Sequence, residues 1–217
     1  MLAKGTPWFI YVPPSLALVL ALAMAAGWTP AAWWRVALLA LLAAASAFGL
    51  SFFRDPERRT GEGLVAPVHG RVLGVTEEGG WTRVSTFMGP FDVHVVRAPL
   101  DGTVKAMTRG GASFRRADSA GAGHNVQLDL ELDDAGGAGG ADGSHRVVMV
   151  SGWFARRIVP YVAVGDRVAR GSRIGLIRFG SRVDVLVPRD GSRITATPGQ
   201  RVRGGETSLG VVAHARD

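Results

Sequence analysis

Two long runs without a charged residue fill most of the first quarter of the chain, and they constrain what it can fold into more than any other feature. Residues 8–27 (WFIYVPPSLALVLALAMAAG) and 36–53 (VALLALLAAASAFGLSFF) contain no Asp, Glu, Lys or Arg. Each is close to the ~20 residues that a helix needs to cross the hydrocarbon core of a bilayer. Between them, Trp28, Pro30, Trp33, Trp34 and Arg35 make a short turn rimmed by residues that favour the membrane interface. The pattern predicts a transmembrane hairpin in residues 1–53, with helices over about 8–27 and 36–53. A cleaved signal peptide fits less well, because its apolar stretch is ~7–15 residues long and no second spanning run follows it. A hairpin buried against the rest of the chain is the other reading. Lys4 on one side and Arg54, Arg58 and Arg59 on the other outnumber Arg35 in the turn, so both ends, and everything after residue 53, are expected on the cytoplasmic side of the cell membrane.

Beyond a polar linker at 54–63 the hydrophobic period changes to two. Strand-like runs occur at 70–75, 81–87, 92–97, 103–107, 126–132, 146–151, 158–162, 174–178 and 183–187. The chain's 30 glycines and 11 prolines favour many tight turns over long soluble helices, which predicts an all-β domain over 64–217. Residues 133–144 (DDAGGAGGADGS) should be a flexible hairpin loop. Two internal repeats stand out. Ala66-Pro67-Val68-His69-Gly70-Arg71-Val72 returns as Ala98-Pro99-Leu100-Asp101-Gly102-Thr103-Val104, and Val164-Gly165-Asp166-Arg167-Val168 returns approximately as Pro198-Gly199-Gln200-Arg201-Val202. Paired strand–turn units of this kind predict a pseudo-symmetric sandwich or flattened barrel, with glycines supplying turns of positive φ. The second pair is also similar to the hairpins of biotinyl and lipoyl carrier domains, but no lysine occupies a hairpin tip.

Composition narrows the chemistry. The absence of cysteine removes disulfides, thiolate metal sites and a cysteine nucleophile. No two histidines have metal-ligand spacing, so no metal is expected. A net charge of +7, carried almost entirely by arginine, favours an anionic partner. Nucleic acid is disfavoured, because aromatic residues do not interleave with the arginines as a stacking platform requires.

Gly–Ser pairs occur at 143–144, 171–172, 180–181 and 191–192. Three of them read most simply as turns. The neighbourhood of Gly180-Ser181 differs. Phe87-Met88-Gly89-Pro90-Phe91-Asp92-Val93-His94-Val95-Val96-Arg97-Ala98-Pro99, then Gly152-Trp153-Phe154-Ala155-Arg156-Arg157-Ile158-Val159, then Gly165-Asp166-Arg167-Val168 running on to Arg178-Phe179-Gly180-Ser181-Arg182-Val183-Asp184, together resemble the phosphatidylserine decarboxylases of the short bacterial and archaeal type. The resemblance covers essentially all of the chain after Phe52.

That resemblance implies a proenzyme that cuts itself between Gly180 and Ser181. The Ser181 hydroxyl attacks the Gly180 carbonyl and converts the amide to an ester. Elimination then frees the fragment 1–180, and the remaining dehydroalanine tautomerises and hydrolyses, with loss of ammonia, to a pyruvoyl group at the head of 181–217, the two pieces staying together as a heterodimer. The pyruvoyl carbonyl is the covalent cofactor: it forms a Schiff base with the amine of phosphatidylserine in the membrane and accepts the electron pair left as carbon dioxide departs, giving phosphatidylethanolamine. The resemblance also places His94 beside the pyruvoyl group as the proton-transfer residue. His124, His145 and His214 lack such a context.

Two departures from the family pattern are visible. The acidic residue usual in the first repeat is replaced by His69 in Val68-His69-Gly70, and an Asn-Glu-Arg element is replaced by Asp118-Ser119-Ala120-Gly121-Ala122-Gly123-His124-Asn125. Self-cleavage needs a base near Ser181, so either His69 supplies it or another residue does, with Arg97, Asp101 and Asp184 as the alternatives. Two other functions remain open at this point: a non-catalytic, membrane-anchored carrier-like module, and an archaetidylserine decarboxylase using the same chemistry on a different lipid backbone.

Overall fold

The computed structural model describes residues 1–28, 32–113, 124–134, 144–152, 157–178 and 181–212. The chain divides into two compact units, Met1–Asp55 and Pro56–Asp217.

The first unit is a helical hairpin. A 3-10 turn over Trp8–Tyr11 leads into helix α1 (Val12–Ala25), and α2 follows at Trp33–Phe52. α1 starts later than the uncharged run does, because Pro13 and Pro14 lack N–H groups and are tolerated only in a helix's first turn. α2 starts earlier than expected. Trp33, Trp34 and Arg35, expected in the turn, form its first turn, with Arg35 stacked over the Trp34 ring at 4.7 Å. At 1.5 Å per residue the 20 residues of α2 are about 30 Å long, the thickness of a bilayer core. Both spans are long and apolar enough to cross a membrane and are almost wholly unburied, with Leu18, Val19, Leu22 and Leu41 exposed. That exposure runs against the buried-hairpin reading. Leu2 bridges to Arg54, Ala3 N–H donates to Phe53 O and Asp55 N–H donates to Met1 O, so the two ends of the hairpin meet.

The second unit is built from fourteen described strands: β1 (Leu64–Val65), β2 (Gly70–Glu78), β3 (Trp81–Met88), β4 (Val95–Arg97), β5 (Gly102–Gly110), β6 (Gln127–Asp134), β7 (Ser144–Ser151), β8 (Ile158–Pro160), β9 (Arg167–Val168), β10 (Arg173–Ile177), β11 (Ser181–Pro188), β12 (Ser192–Ile194), β13 (Arg201–Val202) and β14 (Ser208–Val212). Eight form one curled antiparallel sheet in the order β13-β2-β3-β11-β7-β6-β5-β9, and the others form two small sheets, β1-β14-β12 and β4-β10-β8. The all-β architecture is the one expected from the period-two pattern, and the large sheet takes the form of a curled half-barrel.

The repeats seen in the sequence are the two halves of this unit. In the large sheet β13-β2-β3-β11 mirrors β9-β5-β6-β7, and each small sheet accompanies one half. One half is β4–β10, continuous in sequence; the other is β1–β3 completed by β11–β14. Val202 pairs with Gly70 where Val168 pairs with Gly102, and both hairpins carry a bulge at the same place, Val72/Gly74 and Val104/Ala106. Each half has its own apolar core, one around Leu130, Val147, Ile174 and Ile177, the other around Leu64, Val84, Val187 and Leu209.

The glycines of the first repeat do a different job from the one expected. Gly70 and Gly102 are absent from the positive-φ positions. A Cβ on Gly70 would collide with Phe87 O, and one on Gly102 with Asp133 O, so glycine is needed there for the close approach of the neighbouring strand. In the second repeat Gly165 (φ 93°) and Gly199 (φ 87°) do adopt the left-handed turn conformation.

One strand is shorter than its pattern. The run at 92–97 pairs only over β4, because Asp92 and His94 use their polar groups to close the preceding turn: Asp92 Oδ2 accepts from Gly89 N–H at 2.8 Å, and Asp92 N–H donates to Gly89 O at 3.0 Å. The short strands β1, β9, β12 and β13, of two or three residues, have too few residues to show alternation, and the five residues of β14 do not alternate. β6 and β7 pair as a hairpin as expected; its tip, 135–143, lies outside the described residues.

Candidate active site

Ser181 is the first residue of β11, where the chain passes from the continuous half into the completing strands of the other. It is fully buried and faces the core with Val183 and Val185. Its neighbours across the two ladders are Met88 of β3 and Ser151 of β7. Ser181 Oγ lies 3.9 Å from Met88 Sδ, a contact of weak polarity. The Ser151 hydroxyl is also buried and has no hydrogen-bond partner among the described residues. Ser151 is held from behind: its N–H donates to Val126 O at 2.9 Å, and its carbonyl accepts from Asn125 Nδ2 at 2.8 Å. Gly180 and Phe179 lie outside the described residues, as do Trp153, Phe154, Ala155, Arg156 and His214.

His94 sits in the turn that begins one residue after Met88, and it is fully buried. Its Nδ1 is 2.8 Å from Asp92 O. A carbonyl oxygen can only accept, so Nδ1 carries the proton and in the neutral ring the lone pair is on Nε2. The His94 carbonyl accepts from Ile177 N–H at 3.2 Å. The turn is thus flanked on both sides by the chain that brackets residues 178–180, through Ile177 on one side and through Met88 opposite Ser181 on the other.

His69, from the loop between β1 and β2, joins the same turn. Its Nε2 is 3.8 Å from Asp92 Oδ1, and the same carboxylate takes Arg201 at 3.1 Å. The structure therefore gathers His69 and His94 on Asp92, one at its carboxylate and the other at its backbone carbonyl, and sets Ser181 opposite the residue that leads into this turn.

The other candidate bases are committed elsewhere. Arg97 is buried and donates to Gly171 O at 2.8 Å and Pro56 O at 2.9 Å. Asp101 Oδ1 accepts from Arg170 N–H at 2.9 Å. Asp184 is buried but alternates to the face opposite Ser181, where it meets Arg182 at 2.9 Å and Arg83 at 3.6 Å. Among the remaining Gly–Ser pairs, Ser144 and Ser192 each open a strand rather than lying in a turn, so strand position alone does not distinguish Ser181. Ser151 and Asn125 were not singled out from sequence, because a serine ending an apolar strand carries no signal until its cross-strand partner is known.

A sequence model described as phosphatidylserine decarboxylase matches residues 45–210. The chain belongs to the phosphatidylserine decarboxylase family. As a member it is a decarboxylase, a lyase of phospholipid metabolism. Among its relatives, the "Putative archaetidylserine decarboxylase proenzyme" of Halobacterium salinarum is 38% identical over 96% of this chain and 99% of its own length. The "Phosphatidylserine decarboxylase proenzyme" of Streptomyces griseus is 38% identical over 96% and 92% of the two chains, and that of Geobacter sp. 42% over 76% and 77%. No solved structure matches the chain.

Proposed function

We propose that this decarboxylase converts phosphatidylserine to phosphatidylethanolamine with a pyruvoyl group made from Ser181 by self-cleavage of the Gly180–Ser181 bond. The observation that carries the reading is the buried Ser181 at the head of β11, paired with Met88, which leads into the turn where Asp92 meets both His69 and His94. The residues around it fit a carbonyl at that position: the Ser151 hydroxyl, buried and without an acceptor among the described residues, lies directly across the ladder as a donor for it.

In maturation His69 takes the proton of the Ser181 hydroxyl as its oxygen attacks the Gly180 carbonyl; the C–N bond breaks, and the proton passes to the freed Ser181 amine. The neighbouring Asp92 carboxylate stabilises His69 as it becomes charged. A base then removes the Ser181 Cα proton, Gly180 leaves as a carboxylate, and the dehydroalanine left at position 181 tautomerises and is hydrolysed by water, releasing ammonia. When formed, the pyruvoyl group supplies an electrophilic carbonyl that engages the substrate amine and takes up the electrons released with carbon dioxide. His94 holds its proton on Nδ1 by the bond to Asp92 O, which directs Nε2 to proton transfer at the substrate carbon. Burial of both groups excludes water from that step. The helical hairpin anchors the enzyme at the membrane that contains its lipid substrate, and the basic residues Lys4, Arg54, Arg58 and Arg59 support a cytoplasmic position for both hairpin ends.

Intact mass measurement of detergent-extracted protein tests the reading together with conversion of phosphatidylserine vesicles. Two chains, 1–180 and 181–217, with a pyruvoyl mass at the head of the second, are expected. A single full-length mass in material that releases phosphatidylethanolamine would defeat it. Turnover confined to archaetidylserine would reassign the lipid backbone.

A further inference from the structure

A second feature of the same end of the sheet is not used by the chemistry above. A cavity of about 310 Å³ is lined by Arg109, Val126, Arg157, Ile158, Val159 and Pro160. Arg109 stands at the end of β5 and Arg157 just before β8. Arg178, which follows β10, is tied to Arg157 by its N–H donating to Arg157 O at 3.2 Å. Partial burial, and then the charge of Arg157, hold the Arg178 guanidinium below its ordinary pKa. No ion pair joins Arg109 or Arg157 to a carboxylate among the described residues. Elsewhere on this domain arginines meet acids, as in Arg146 with Asp129 and Arg173 with Glu57. Arg109 and Arg157, which line the cavity without such partners among the described residues, repel one another, and an anion placed between them relieves that repulsion.

The cavity is close to Ser181. Val126 in its wall accepts the Ser151 N–H, and Ser151 lies opposite Ser181, so Val126 is two strand spacings from Ser181, roughly 10 Å at ~4.8 Å each. Arg178 is three residues upstream of Ser181 on the chain itself. In a serine phospholipid the phosphodiester is only a few bonds from the amine that must reach the carbonyl, so the phosphate is within reach of this cavity when the amine is at residue 181.

We propose that Arg109, Arg157 and Arg178 form the subsite for the phosphodiester monoanion of the substrate headgroup. This rests on the functional reading above and extends it to binding. The guanidinium fork suits paired phosphate oxygens, so the site should prefer a phosphate over a carboxylate at that position.

The test uses the full-length processed enzyme in detergent micelles with the variants Arg109→Gln, Arg157→Gln, the double variant and Arg157→Lys. All should still cut themselves on a denaturing gel, since no phosphate takes part in cleavage. For phosphatidylserine, each Gln variant should raise KM by roughly tenfold with little change in kcat, Lys should fall between, and the ratio of kcat/KM for the lipid over O-acetylserine, which has the amine and carboxylate but no phosphate, should fall by about the same factor. Glycerophosphoserine should compete with the lipid and lose potency in the variants, whereas inorganic phosphate should compete far more weakly. Equal potency of the two competitors would reassign the pocket to free phosphate and overturn the headgroup proposal. An unaltered KM and selectivity ratio in a cut, active double variant would overturn it as well. A wild-type chain that remains uncut would instead defeat the pyruvoyl reading itself.

Discussion

Ser151 and Ser181 face each other across the β7–β11 ladder, both buried on the core side, and the Ser151 hydroxyl has no acceptor among the described residues. A buried hydroxyl left unsatisfied costs ~1–3 kcal/mol, so a structural role alone does not account for it. Ser151→Ala should leave the folded protein as stable as before or more stable by about 1 kcal/mol, a gain of a few degrees in Tm. The same variant should slow self-cleavage or decarboxylation by about tenfold. Calorimetry with gel-based cleavage checks both, and a loss of stability with normal chemistry would make Ser151 a packing residue.

Ser181→Ala should leave the chain intact and inactive, because alanine has no hydroxyl to attack the Gly180 carbonyl. Ser172→Ala and Ser192→Ala should be cut normally. Ser144→Ala is a sharper control, since Ser144 is buried at the head of β7 much as Ser181 is at the head of β11. Cleavage of Ser181→Ala, seen on a denaturing gel, would reassign the nucleophile.

His69→Ala should slow processing by about 10²-fold or more if His69 is the base, and His69→Asp should recover much of the rate. The wild-type cleavage rate should fall as pH drops through the imidazole range, because only the neutral ring accepts the Ser181 proton. Asp92→Asn should slow cleavage as well, because it removes the carboxylate 3.8 Å from Nε2 that stabilises the charged ring. His94→Ala should be cut more readily than it decarboxylates. A flat pH profile with normal cutting of His69→Ala would take His69 out of the mechanism.

His145 is buried in β7, next to Gly102, and burial pushes its pKa down to about 4 from 6.5. Both ring nitrogens lack partners among the described residues, so the neutral form alone is accommodated. The unfolded chain then binds the extra proton between those values, and stability present above about pH 6.5 is lost as pH falls towards 4, in total by roughly 3 kcal/mol at ~1.4 kcal/mol per pH unit. Denaturant unfolding at pH 7 and pH 4.5 should show the loss in the wild type and a smaller one in His145→Leu; parallel curves would exclude His145 as the source.

Deleting residues 1–53 should leave a chain that cuts itself but works poorly on vesicles while retaining activity on micelles, since the role proposed for the exposed apolar helices is anchoring and the strand partners of Ser181, Met88 and Ser151, belong to the second unit. Equal rates on vesicles would limit the hairpin to localisation. Protease accessibility of Lys4 and the 54–59 segment in sealed vesicles checks that both face the cytoplasm.

Much of the architecture was legible in the sequence because it depends on local periodicity. Two charge-free runs can hardly be anything but long apolar helices, and period-two alternation located the long strands β2, β3, β5, β6, β7 and β11 within a few residues. The repeats were legible because related halves keep the same turn residues. Their pairing was not: that Val202 meets Gly70 as Val168 meets Gly102, and that one half is completed by strands from the far end of the chain, depends on contacts between residues far apart in sequence, 132 residues for the first pair and 66 for the second. The same limit applies to the site. Sequence resemblance pointed to Ser181, His94 and His69 one by one, but a residue's neighbours across a ladder are set by register, and register is fixed only when both faces of a strand find their cores. Tertiary structure alone placed Ser151 against Ser181, turned Asp184 to the other face, tied both histidines to Asp92 and brought Arg109 and Arg157 to one cavity.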